Sequence, residues 1–407
     1  MEEIMELFGR NQLFKLMLLS IVLYPLVPGK YTPYVGIFMG LYFVVHLYVD
    51  KDAYQKLRRG RRHNKLAYGL STFLFLVLQV VTVTYSINPS STLKGIMIYG
   101  SAFILFFILK YELNRPNFII PLVRAYFLSG LLVGLYHVGQ VVYDEIVRGI
   151  PFDPLVNVSF MDNAPLLAYF MLIPLFPALG LYIYKDENHE SRFYLFVLSV
   201  ALISVFMTGS RIAVISVFLG LGMLSFLYSL KFLIALVPTG LFLVLIPVFS
   251  KRHGQFFALS GEMSRFSFYL QVVRENMSTI FIGKGFNTFD ETFGRFMIGR
   301  PELLNLELVN KPYNAVIQVV MEMGIIGLIL GTLIIFFKMR GIIQYTKSVK
   351  VQPVLKVMYV GVMVSMTVLI LVGIMDSYLL DPKIVYSITI LMGILHGDAK
   401  WKGITKI

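Results

Sequence analysis

The sequence predicts an all-α polytopic membrane protein with about twelve transmembrane helices. Hydrophobic residues make up 57% of the 407 residues and charged residues only 14%, whereas soluble domains carry about 25% charged residues. The mean hydropathy is +0.75. Many apolar runs reach the roughly 20 residues that a helix needs to cross a bilayer. Each such segment must be helical, because lipid offers backbone groups no hydrogen-bond partner.

Polar turns separate these apolar runs and set the order of the predicted spans. We place them at about 13–27, 33–49, 66–86, 93–109, 118–141, 164–184, 193–208, 212–228, 232–249, 313–337, 357–379 and 383–396. The start of the chain is acidic and mixed, without a cleavable signal pattern, so the first span is expected to direct its own insertion.

The net charge of +13 is explained by Lys and Arg residues in the loops on one side of the membrane. The loop DKDAYQKLRRGRRHNK, the turn at 110–117, the loop KDENHESR, the segment 338–356 and the end DAKWKGITKI all lie on one side of this topology. Because cytoplasmic loops are enriched in Lys and Arg, we expect both termini in the cytoplasm. The excess of Lys and Arg over Asp and Glu therefore gives no reason to expect nucleic acid as a partner.

Several kinds of chemistry are excluded by residue usage. The chain has no cysteine, which excludes disulfides, thiolate metal sites and a cysteine nucleophile. Its six histidines are scattered without ligand spacing, so no metal site is expected. The short GKGF at 283–286 lacks the Walker spacing and a preceding strand, which argues against nucleotide binding. No cofactor is expected.

Two connections on the predicted outer face, 143–163 and 250–312, are longer than the rest. We therefore divide the chain into helices 1–9 at 1–249, an extracytoplasmic loop or cap at 250–312, and helices 10–12 at 313–407. In the first half of the cap Phe266, Leu270, Val273 and Met277 recur at helical spacing, which predicts an amphipathic helix.

Two arginines occupy positions that the membrane topology does not explain. Arg124 lies inside the fifth span, where an ionisable group costs several kcal/mol unless it is paired or faces water. It either has a structural partner in the bundle or contacts an anion in a cavity. Arg211 follows a Thr-Gly-Ser turn between two spans. It either reaches lipid headgroups or binds phosphate together with the free N–H groups of the next helix.

Further polar groups gather in the cap and at the tenth span. Arg265, Arg274 and Lys284 lie in the cap, where an ordinary solvated surface is the simplest interpretation. Asn314, Gln318 and Glu322 recur every four residues and share one helical face. Glu322 either pairs with an arginine or positions a reacting group.

Three segments in this order, TGSRIAVIS, SRFSFYLQVVRENMSTIFIGKGFNTF and YNAVIQVVMEMGIIGLI, resemble the O-antigen ligase and polymerase (Wzy-type) superfamily. The first matches the family's S-R-G-A-like turn, with Ile212 in place of its glycine. The second matches an arginine before G-x-G-x-x-x-F, and the third matches H-N-x-x-L-x-x-x-x-E-x-G-x-x-G. VSFMDNAPLLAYF also looks like the family's N-x-x-A pattern before a middle span. The resemblance covers roughly residues 155–335.

This resemblance implies a GT-C-like membrane glycosyltransferase that needs neither metal nor nucleotide sugar. Undecaprenyl-diphosphate-linked oligosaccharide would be donor and acceptor, on the outer face of the bacterial cytoplasmic membrane, in O-antigen, capsule or exopolysaccharide synthesis. Membrane lipid, a chain-length regulator and a flippase would be partners. Two alternatives stay open: a ligase that transfers glycan to lipid A core, and a non-catalytic flippase for the same lipid.

The resemblance also assigns roles to residues of this chain. Arg211 and Arg265 would bind the diphosphate, with Arg124 as a third contact. The other residues assigned to substrate binding are Ser210, Asn163, Asn314, Lys284 and Arg274. The family's histidine falls on Tyr313, which argues against the ligase branch. Because a tyrosine is a poor base at pKa about 10, Glu322 or a cap carboxylate such as Asp290 is the better candidate to accept the acceptor's proton.

Overall fold

A computed structural model of the chain describes residues 9–50, 67–150, 157–184, 191–227, 270–298, 314–402 and 404. Within these ranges the regular elements are helices, and none is a strand. We number the α-helices in chain order: α1 Arg10–Leu23, α2 Thr32–Val49, α3 Ala67–Thr82, α4 Pro89–Tyr111, α5 Pro116–Val142, α6 Ala164–Ile183, α7 Ser191–Met207, α8 Arg211–Leu227, α9 Phe289–Met297, α10 Ala315–Lys347, α11 Pro353–Gly373 and α12 Pro382–Trp401.

The length and apolar character of these helices confirm a multi-pass membrane protein. Six segments are long and apolar enough to cross a bilayer, namely α2 and α5 with their flanking turns, α4, α6, α10 and α11. Apolar helices at Leu70–Thr82, Ser191–Met207 and Arg211–Leu227 are shorter. The ninth predicted span, 232–249, lies outside the described residues, and the total of twelve stays a prediction.

Apart from α9, which belongs to the cap, the helices alternate in direction from α1 to α8 and from α10 to α12, so the bundle has two ends. One end holds the starts of α2, α4, α6, α8, α10 and α12, and we call it the Arg211 end; the opposite one is the far end. Lys383 at the start of α12 fixes this arrangement, because its ammonium donates to the carbonyl oxygen of Pro25 at 3.0 Å and to that of Phe160. These two carbonyls follow α1 and precede α6.

Helix α6 lies at the centre of the bundle and is buried along nearly its whole length. An all-round apolar helix is stable only when other helices surround it. The backbone of α11 approaches it closely at Gly361, where a Cβ would meet the backbone of Pro177. Helix α8 approaches at Gly220, where a Cβ would overlap the Phe176 ring.

Helix α10 differs from the predicted span 313–337 in two ways. It continues to Lys347, so half of the segment 338–356 that was expected to be a loop is helical, because buried Ile342 and Tyr345 extend its apolar face. It is also interrupted at Gly324, whose φ of 68° is in the left-handed region. The interruption leaves backbone groups without helical partners.

The connection between α11 and α12 corrects another boundary. The predicted span 357–379 ends at Gly373, and residues 374–381 form an irregular loop with a short turn at Tyr378–Leu380. The predicted amphipathic helix of the cap is present at 270–275, but its buried residue is Val272, whereas Leu270 and Met277 are 38% and 55% exposed. Phe266 lies outside the described residues.

Candidate functional site

The turn before α8 presents Arg211 at the positive end of a helix. Gly209 has a φ of 63°, which allows the chain to reverse within the three residues between α7 and α8. Ser210 caps the helix, since its Oγ accepts from the backbone N–H of Ala213 at 3.4 Å. Arg211 is the first residue of α8 and is half-exposed. Its charge and the free N–H groups of the first turn together favour an anion.

A buried tyrosine–aspartate pair lies beside this turn. The Tyr169 hydroxyl of α6 donates to Asp376 Oδ2 at 3.1 Å, and the Ser210 side chain lies against the same hydroxyl. Asp376 is only 4% exposed, and its Oδ1 accepts from the Ser377 backbone N–H at 2.7 Å. The sequence reasoning missed this pair because it extended a span to 379; the polar run DSYLLDPK at 376–383 was the available signal.

Asn314 connects the start of α10 to the loop that holds Asp376. Its Oδ1 accepts from the backbone N–H groups of Val316 and Ile317 at 2.8 and 3.0 Å. Its Nδ2 donates to the carbonyl oxygen of Ile374 at 2.7 Å. The Asn314 amide therefore caps a helix and fixes a neighbouring loop with both of its polar atoms.

Glu322 lies one and two turns beyond Gln318 and Asn314 on the same face, as the spacing predicted. It is 3% exposed, and its Oε1 accepts from Gln318 Nε2 at 3.0 Å. Its Oε2 accepts from the backbone N–H of Asn287 at 2.9 Å. In the part of the chain that the structure describes, these partners of Glu322 are an amide and a peptide group, not an arginine. The carboxylate thus holds the cap against α10.

The segment 280–288 of the cap fills the interruption in α10. The N–H groups of Lys284 and Gly285 donate to the carbonyl oxygens of Met321 and Glu322 at 2.9 and 3.0 Å. In return, Ile325 N–H donates to the carbonyl oxygen of Ile280 at 2.9 Å. Gly283 has a φ of 73°, and a Cβ there would overlap the Glu322 backbone. The close approach of the two backbones explains why a glycine is needed at position 283.

Three charged side chains of the cap, Lys284, Asp290 and Glu291, lie in or just after this segment. Burial, with the Arg295 charge nearby, lowers the pKa of the Lys284 ammonium. Glu291 is used structurally, since it accepts from Asn88 Nδ2 at 2.7 Å and from Ser91 Oγ. Asp290 is exposed at the first turn of α9 and interacts electrostatically with Glu322.

The structure does not bring Arg124 to this site. Arg124 is exposed on α5 and interacts electrostatically with Tyr194, near the start of α7 at the far end. From Tyr194 to the end of α7 at Met207 the helix rises about 20 Å. Arg124 is therefore not an internal anion contact next to Arg211.

The remaining predicted residues have separate positions. Asn163 caps α6, accepting from the Leu166 N–H at 2.9 Å. Arg274 is exposed on the helical stretch 270–275. Arg265 and Tyr313 lie outside the described residues.

The contacts described above form one continuous path at the Arg211 end. It begins at Ser210, passes through Tyr169 and Asp376 to the loop held by Asn314, and then follows one face of α10 to Glu322 and the cap. The arrangement combines a cation at a helix start with a buried carboxylate nearby. It can bind an anion and accept a proton close to it.

Among the described residues, no group of three or more His, Asp or Glu side chains is placed to hold a metal ion. No protein-family model matches the chain, and a search of curated proteins found no match.

Proposed function

We propose that the chain is a polysaccharide polymerase of the bacterial cytoplasmic membrane. It would join undecaprenyl-diphosphate-linked oligosaccharide repeat units on the outer face, with both termini in the cytoplasm. One observation supports this above others: three motifs distant in sequence, the Arg211 turn, the Gly-Lys-Gly segment of the cap and the Asn314–Glu322 face, meet at one end of a membrane-spanning bundle. A donor with a lipid tail and an anionic head would need its head bound at such an end.

The reaction requires an anion to leave from the sugar. A hydroxyl oxygen of the acceptor unit attacks the anomeric carbon of the donor, and the bond from that carbon to the diphosphate oxygen breaks. The diphosphate leaves with the electron pair, and the hydroxyl proton passes to a base. Arg211 would stabilise the charge that develops on the diphosphate, since a guanidinium matches phosphate oxygens in a bidentate manner. Arg265 remains the expected second cation.

The structure changes which carboxylate we propose as the base. Both oxygens of Glu322 already accept hydrogen bonds that hold the cap, so we assign it to positioning. Asp376 lies in the loop beside the Arg211 turn, and each of its oxygens accepts a hydrogen bond. Its place next to the cation, rather than in the contact between α10 and the cap, favours it as the group that accepts the proton. We therefore propose Asp376 as the base, with the exposed Asp290 as the second candidate.

A cell-free assay separates the proposed polymerase from its alternatives. The purified chain is incubated, without an energy source, with lipid-linked oligosaccharide extracted from source cells that lack the gene. The products are then separated by length. Longer chains support a polymerase, and glycan attached to added lipid A core would indicate a ligase. Translocation across the bilayer without a new bond would indicate a transporter and contradict the proposal.

A further inference from the structure

An apolar cavity lies within the membrane-spanning part of the bundle and extends from Leu379 and Leu380, in the loop after α11, to Lys338 of α10. It has a volume of about 190 Å³ and separates α3 and α10 on one side from α4 and α12 on the other. Gly331 of α10 widens it, because a Cβ there would meet only Phe75 of α3, at 4.0 Å. An apolar cavity of roughly this size stays free of water and accepts apolar ligands.

The cavity wall contains one charged side chain, Lys338 of α10. Within the described residues, no carboxylate and no hydrogen-bond acceptor contacts its ammonium. The ionisable groups near it are cationic or neutral: His396 of α12 interacts with Lys338 and with Lys110 of α4. Lys110 lies 5.7 Å above the ring of Phe106, which also lines the cavity. Among the described residues, this end of the cavity therefore lacks an anion.

Two described carboxylates of the far end are already paired elsewhere. Glu112 binds Arg10 and lies 3.5 Å from His46 Nε2. Asp398 accepts from the Tyr345 hydroxyl and lies 2.7 Å from the Lys402 ammonium. A charged group inside a membrane protein is costly unless an opposite charge or water meets it. Within the described residues no carboxylate is placed to pair with Lys338, which favours a partner from outside the chain.

The lipid-linked donor of the proposed function does not fit this position. Its diphosphate would lie at the Arg211 end, where α10 begins, whereas Lys338 follows Ala315 by a helical rise of about 35 Å. An isoprenoid tail that reached Lys338 would present hydrocarbon to an ammonium. The Lys338 ammonium would instead pair with the anionic head of a lipid in the leaflet at the far end.

We propose that this cavity binds one acyl chain of an acidic phospholipid of the surrounding membrane, with its phosphate held by Lys338. Basic pockets between transmembrane helices recognise anionic lipid heads in this way. The second acyl chain would lie along the apolar side chains that α3 and α10 expose, such as Phe73 and Phe336, which are 61% and 56% exposed. This site is separate from the proposed transfer reaction and needs no donor.

Native mass spectrometry of the purified full chain tests the proposal. After lipid removal, the protein receives equal amounts of phosphatidylglycerol and phosphatidylcholine. We expect one retained phosphatidylglycerol in the wild type. Lys338→Met should weaken its retention at least about tenfold, because a charge-assisted contact is lost. Lys347→Met, at the exposed end of the same helix, should leave retention unchanged.

Two further variants keep the proposal testable if Lys338→Met folds poorly. Gly331→Phe fills the cavity without changing any charge and should also abolish retention, while Lys338→Arg should preserve it. Equal loss in Lys338→Met and Lys347→Met, or equal retention of the two lipids, would overturn the proposal. Displacement of the bound lipid by an equal amount of undecaprenyl phosphate would overturn it too, since the cavity would then serve an isoprenoid chain. None of these readouts depends on polymer formation.

Discussion

At the scale of single residues, the motif positions separate into structural and chemical groups. Asn163, Ser210 and Asn314 each cap the helix that follows them, and Asn and Ser are among the strongest N-cap residues. Their presence therefore has a local structural explanation. Arg211 has no comparable structural duty in its turn. Our functional interpretation consequently depends on Arg211 and on the neighbouring Asp376.

Replacement of Asp376 tests the base directly. Asp376→Asn retains the shape of the side chain but cannot accept the proton, so the rate of transfer should fall at least about 100-fold. Tyr169→Phe removes the hydroxyl that bonds Asp376 and should lower the rate only a few-fold. The assay measures bond formation at equal amounts of folded membrane protein. Full activity of Asp376→Asn would exclude it and direct attention to Asp290.

At the scale of elements, the cap and α10 form one interlocked unit. The interruption at Gly324 exposes backbone groups, and the segment 280–288 satisfies them. A period of four residues predicted the shared face of Asn314, Gln318 and Glu322. It could not predict the interruption, because a lone glycine in an apolar run is compatible with an unbroken helix.

The carboxylate of Glu322 should control how firmly the cap is docked. In Glu322→Gln one carboxylate oxygen becomes an amide nitrogen that cannot accept from its donor, which leaves a buried group unsatisfied at a cost of about 1–3 kcal/mol. We expect faster hydrogen exchange at the backbone amides of 283–288. Glu145→Gln, an exposed carboxylate that follows α5 at the same end, should change nothing. Unaltered exchange in Glu322→Gln would mean that the backbone contacts alone hold the cap.

Two glycines of α8 provide a matched test of the central packing. Gly220→Ala forces a methyl group into the buried Phe176 ring and should lower the free energy of unfolding by about 1–3 kcal/mol. Gly222→Ala meets nothing within 4 Å and should be neutral or raise stability by up to about 1 kcal/mol. Thermal unfolding in detergent measures both. Equal effects would show that α8 does not approach α6 as closely as described.

At the scale of the whole molecule, the two ends of the bundle carry different arrangements of charged groups. The Arg211 end combines an arginine at a helix start with a buried carboxylate, and the far end places Lys338 in the wall of an apolar cavity. Composition was sufficient to predict a helical membrane protein, because hydropathy reports burial in lipid regardless of packing. The turn TGSRIAVIS was singled out from the sequence, and the structure places its arginine at the start of α8. The Tyr169–Asp376 pair was not, since contacts between α6 and the loop after α11 depend on tertiary packing.

The position of Arg124 in the bundle also could not be predicted from the sequence. An arginine within an apolar run marks an unusual position, but the sequence does not state which side of the helix it occupies. The structure places it on an exposed face beside Tyr194. Helical periodicity alone did not distinguish that face, because α5 is apolar on all sides.

The most direct test of the central claim is release of the lipid diphosphate. Each bond made by the proposed chemistry frees one undecaprenyl diphosphate, which chromatography of extracted lipids can count. We predict release in step with new glycosidic bonds in the wild type and in Arg192→Lys, an exposed control at the far end of α7. In Arg211→Lys, which loses bidentate contact, release should be about 10- to 100-fold slower. Glycan transport without released diphosphate, or equal rates in Arg211→Lys and Arg192→Lys, would contradict the account.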